Sequence, residues 1–179
     1  MGEFGFKELS IRNWLEPDSV MKAFATVSSD GTIEHLIGAD WFDRVLEPSL
    51  SDRVPKKVQL LFEVARGAHA YGYFFYPLYT LAAEQLYRVA EAAISQRCES
   101  LGAPRSLRNF VHRINWLAEH GAIREEHREE WHTIRHLRNS ASHPEVQAII
   151  TPGLALGSLR QIADRISDLF ADAFQVTSH

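Results

Sequence analysis

The chain reads as an all-α protein, an antiparallel helical bundle carrying an N-terminal extension of short helices. Three observations lead there. Apolar residues recur at helical spacing, most plainly at Leu159, Ile162, Ala163, Ile166, Leu169, Phe170, Ala173 and Phe174. There is no sustained period-two alternation and no Asn-Gly hairpin between β-branched runs. The stretches linking the helical segments are short, which favours antiparallel neighbours.

Residues 1 to 50 form the extension. They hold turn signals at Ser28-Ser29-Asp30-Gly31 and Glu47-Pro48-Ser49, with short apolar pieces around Val20 to Val27 and Trp41 to Leu46. The bundle domain covers residues 51 to 179. Its first helix is expected over 55 to 70, with Pro55 tolerable only in the first turn. The next spans 78 to 99, entered by Pro77 and closed by Gly102 and Pro104. The aromatic stretch YGYFFYPLY before it could stack on bases, but aromatics leading into a long apolar helix pack the bundle end. A third helix runs from 107 to 119, with Ser106 as N-cap and Gly121 as the stop. A fourth covers 124 to 142, and the stripe beginning at Leu159 makes the last.

With 45% hydrophobic and 23% charged residues, the 179-residue chain has the composition of an ordinary globular protein. No apolar run approaches the roughly 20 residues of a membrane span, and no basic-then-apolar leader opens the sequence. Cys98 is the single cysteine, so neither an intrachain disulfide nor a cysteine-based zinc site is available. A reducing, cytoplasmic setting and no membrane partner are expected. The net charge of −4 argues against a protein that coats nucleic acid non-specifically. Charge is uneven, however: seven Arg and five Glu leave residues 105 to 143 at +2, against −6 for the remainder.

One stretch carries chemistry: RNSASHPE, residues 138 to 145. On a helix, Trp131, Ile134, Leu137 and Ala141 share a buried face, and Arg138 sits just inside its edge. An arginine there needs a carboxylate, a carbonyl or a bound anion; Glu84 and Glu91, a heptad apart on the long helix, are candidate partners. His143 falls roughly 140° from Arg138 on a regular helix, out of reach. Pro144 disfavours helix at residue 143, which frees His143 from that position. An imidazole titrates near neutrality and a guanidinium holds phosphate, so the pair could cleave RNA by 2′-hydroxyl attack without a metal. A plain helix terminus is the competing reading of the same spacing.

The segments YTLAAEQLYRVAEAAI, LRNFVHRINWLAEHGAI and IRHLRNSASHPE, in that order, resemble the HEPN superfamily (higher eukaryote and prokaryote nucleotide-binding domains) over residues 58 to 145. The family motif is an arginine, four to six residues, then a histidine, often with a polar residue directly after the arginine. Arg138, Asn139 and His143 match it. The resemblance implies a homodimer with motif copies facing a shared cleft. It implies a metal-independent endoribonuclease of the toxin–antitoxin or anti-phage type, with Arg138 and His143 as the catalytic pair and Asn139 orienting. RNA and an antitoxin or defence-system protein would be its partners. The alternative it implies is a non-catalytic interaction or nucleotide-binding module in a defence or regulatory assembly.

No cofactor is expected, and no metal. His132 and His136 share a helical face, but the glutamate of zinc proteases is missing between them, and His143 lies about 10 Å further along the axis. Ser140 and Ser142 lack a nucleophile-elbow context and read as helix-cap hydroxyls.

Overall fold

The computed structural model describes residues 5–27, 30–35, 38–141 and 150–171. Among these the protein is a helical bundle of six α-helices: α1 (Gly38–Leu46), α2 (Lys56–Tyr71), α3 (Leu78–Ser100), α4 (Phe110–Glu119), α5 (Glu125–Ala141) and α6 (Pro152–Leu169). No helix among the described residues is long and apolar enough to cross a membrane.

Helix α3 is the axis of the bundle and packs against α2, α4, α5 and α6. Its sequence suits that place. Ala82, Ala83, Ala90 and Ala93 let neighbouring helices approach, while Leu86, Val89 and Ile94 fill the gaps; all seven are buried. Gly102, at φ +72°, ends α3: Ala103 N–H donates to the Cys98 carbonyl at 2.9 Å, as in a Schellman closure. Gly121 closes α4 in the same way.

Most of the aromatic stretch packs the bundle end as its position implies, while Tyr71 at its start is 58% exposed. Tyr73, Tyr76 and Tyr79 are buried, and the Tyr79 ring lies edge-on to Trp41. Gly72 is needed beneath it, because a Cβ there would stand 2.6 Å from the Tyr79 ring.

Two helix starts differ from the sequence expectation. Helix α4 begins at Phe110 rather than 107, with Asn109 and not Ser106 at the N-cap. The Leu107 carbonyl is taken by the Arg113 Nε–H at 2.9 Å, and Leu107 N–H turns back to Pro104. Helix α6 begins seven residues before the apolar stripe, where Thr151 accepts from Leu154 N–H and Pro152 occupies the first turn. Ala173 and Phe174, expected in this helix, lie outside the described residues.

The extension is less helical than expected. A 3-10 turn, Ser19–Ala23, leads into strand β1 (Ala25–Val27), which pairs antiparallel with β2 (Ile33–His35). Three-residue strands are too short to show a period, and only the Asp30-Gly31 turn, with Gly31 at φ +86°, marked the hairpin. The rest of the extension joins the bundle core through Met21, Trp41 and Val45.

Asp18 holds the extension in place. It is fully buried, and its carboxylate accepts from Tyr76 N–H at 3.0 Å, Val20 N–H at 3.1 Å and Lys7 N–H at 3.4 Å. Asp18 N–H donates in turn to the Tyr73 carbonyl at 2.9 Å. The ammonium of Lys7 donates to the Asn13 and Glu16 carbonyls at 2.9 and 2.7 Å. Arg160 of α6 pairs with Glu47 just past α1.

Candidate functional site

Helix α5 carries acidic Glu125 and Glu126 in its first turn and Arg138 in its last, the order a helix dipole favours. Trp131 and Ile134 bury its inner face, as the wheel requires. Leu137, expected with them, is instead 44% exposed. It borders an apolar groove of about 280 Å³ between α3, α5 and α6, beside Tyr87, Ala141, Ile150 and Leu154.

Arg138 is half-buried and finds a carboxylate: its Nε–H donates to Glu91 Oε2 at 2.9 Å. Glu91 therefore takes the partner role, while Glu84 lines a shallow depression on the other side with Arg88, Arg138 and Ala141. An Arg138 Nη1–H also reaches Asn139 Oδ1 at 3.5 Å, a long bond of little strength. His143, with Ser142, Pro144 and Glu145, lies outside the described residues.

Arg138 and Asn139 open onto a cleft of about 380 Å³. Helix α3 contributes Glu91 to it, α5 contributes Arg135, Arg138 and Asn139, and the entry to α4 contributes Arg108, Asn109, Phe110 and Val111. The lining is thus three guanidiniums, two carboxamides and a single carboxylate. Asn109 has no side-chain capping bond, so the first N–H groups of α4 are not capped by a side chain. The Arg135 Nε is buried with no hydrogen-bond partner among the described residues, while its Nη2 meets His136 Nε2 at 2.7 Å. Such an arrangement can hold an anion rich in acceptor oxygens.

The histidines near the cleft have other occupations. His132 Nε2 and Arg128 Nη2 both meet Asn115 Oδ1, each at 3.1 Å. Burial, helped by the charge of Arg135, pushes the His132 pKa below its ordinary value, so the ring is neutral near pH 7. Among the described residues no three His, Cys, Asp or Glu side chains stand close enough to hold one metal ion.

Sequence reasoning singled out Arg138 and Asn139 but not Arg108, Asn109 or Arg135. Arg135 stands one helical turn before Arg138, so i, i+3 spacing could have found it. Arg108 and Asn109 come from the entry to another helix, α4, and only the arginine-rich character of the region pointed toward them.

A family model described as a domain of unknown function (DUF4145) matches residues 68–175, a span that includes α3 to α6 and the whole cleft. No curated protein and no solved structure matches the chain.

Proposed function

This chain belongs to the DUF4145 family, and we propose that it is a HEPN-like, metal-independent endoribonuclease acting at a homodimer cleft in a defence or toxin–antitoxin setting. The observation carrying this reading is the arginine-lined cleft built around Arg138 and Asn139. Arg138 holds the scissile phosphate and offsets the charge that grows on its oxygens. The 2′-hydroxyl attacks the adjacent phosphorus, forming the 2′-O–P bond as the P–O5′ bond breaks. His143 handles a proton of that exchange, as base for the 2′-hydroxyl or acid for the leaving 5′-oxygen. The products are a 2′,3′-cyclic phosphate and a 5′-hydroxyl end.

The test is RNA cleavage in excess chelator, wild type beside His143→Ala, with oligomeric state measured on the same samples. Cleavage should persist in chelator and fall at least about 100-fold in His143→Ala. Chelator-sensitive cleavage, or an active His143→Ala protein, overturns the reading.

One observation favours a second reading, a non-catalytic HEPN-like interaction or nucleotide-binding module. Glu91 already engages the Arg138 guanidinium, so a phosphate must share or displace that partner. On this reading Arg138→Ala weakens ligand binding while clean preparations of wild type cut nothing.

A further inference from the structure

Building on the ribonuclease reading above, we infer that the cleft holds two consecutive phosphates of one RNA strand, the scissile group at Arg138 and Asn139 and its neighbour at Arg108 and Arg135. A volume of about 380 Å³ lies in the range of ligand pockets, roughly 300 to 1,000 Å³, and exceeds what a single phosphate needs. Charge points the same way. Three guanidiniums against one carboxylate leave the lining with two formal positive charges, and two phosphodiesters bring two negative ones.

Those positive charges are unevenly placed. Glu91 offsets Arg138, whereas no carboxylate among the described residues pairs with Arg108 or Arg135. Arg135 lines the cleft with its guanidinium held by the His136 ring at 2.7 Å rather than by a carboxylate. Arg135 and Arg138 are three residues apart on α5, a rise of about 4.5 Å. Both side chains line the cleft. The uncapped start of α4 at Asn109 adds N–H donors at the Arg108 end.

The substrate class that follows is an internal stretch of single-stranded RNA at least three nucleotides long. Arg108 and Arg135 act on binding, so their loss raises KM and leaves kcat nearly unchanged. Three uncleavable probes test this on the full chain: 2′-O-methyl UpU and UpUpU with hydroxyl ends, and uridine monophosphate. Wild type should bind UpUpU at least about tenfold tighter than UpU or the monophosphate. Arg108→Gln/Arg135→Gln, with circular dichroism and melting unchanged, should erase that preference. It should also reduce the slope of log K against log salt by about 0.7, the value for one lost single-strand phosphate contact. Arg138→Ala should weaken UpU and UpUpU alike. Equal binding of UpU and UpUpU overturns the inference, as does a monophosphate that matches UpUpU. If RNA is still cut with His143 dependence in either case, only the second phosphate fails. If RNA is not cut and no probe binds, the ribonuclease reading fails with it.

Discussion

Replacing Asp18 by alanine tests how the N-terminal segment is held. The substitution removes a fully buried carboxylate and strands the N–H groups it serves. The two bonds of ordinary length come from Tyr76 at 3.0 Å and Val20 at 3.1 Å, and the 3.4 Å contact from Lys7 is counted as nothing. At the lower end for a charged acceptor, about 1.5 kcal/mol per bond, the loss is about 3 kcal/mol. A domain of this size loses about 2 to 4 °C of Tm per kcal/mol, so melting should fall by about 6 to 12 °C. Urea unfolding followed by tryptophan fluorescence should show a lower midpoint at an unchanged m-value. Asp18→Asn keeps the shape but turns one acceptor into a donor, and it should lie between wild type and alanine. A fall in Tm under about 3 °C for Asp18→Ala refutes the assignment of Asp18 as the clasp.

Three further outcomes are expected. Gly72→Ala places a methyl 2.6 Å from the Tyr79 ring, and this overpacking should cost about 1 to 3 kcal/mol in urea unfolding. Burial pushes the His69 pKa below its ordinary value, against a smaller opposing pull from the Ala65 and Ala155 carbonyls. The folded pKa is depressed, so the unfolded chain binds the extra proton and stability falls as pH drops below about 6.5. Wild type should therefore lose stability between pH 7 and 5.5 at up to about 1.4 kcal/mol per pH unit more than His69→Gln; a pH-independent difference would contradict this. Burial pushes the Cys98 thiol up to about 11, so at pH 8 it should react with Ellman's reagent only on unfolding.

Long periodic helices were legible in the residues because local spacing determines them. The expected 78 to 99 and the observed Leu78–Ser100 agree. Helix α6 was read late because Gly153 and Gly157 interrupt its first turns, although Thr151-Pro152 is a cap-and-first-turn signature. Leu137 shows a different limit. A wheel ranks residues by direction, but only the positions of α3 and α6 decide whether a neighbour covers that direction. The cleft mixes both cases. Arg138 was marked by its place at the edge of an apolar face, and its need for a carboxylate is met by Glu91. Arg108 and Asn109 reach the same cleft through the packing of α4 on α5, a non-local pairing that no spacing along the chain encodes.

The reach of Trp41 has a practical side for anyone trimming this chain. The family match starts at residue 68, partway through α2, yet Trp41 Nε1–H donates to the His69 carbonyl at 3.4 Å and its ring fills the space beside Tyr79. A fragment cut to the matched span would carry an open aromatic socket and only the last turn of α2. The first fifty residues then behave as a tethered ligand whose effective concentration, millimolar for short flexible links, is supplied by the peptide connection. Severed from the bundle and added back, that segment would have to be supplied at comparable concentration to close the socket. A fragment that keeps this core therefore has to start upstream of Trp41, well before the matched span.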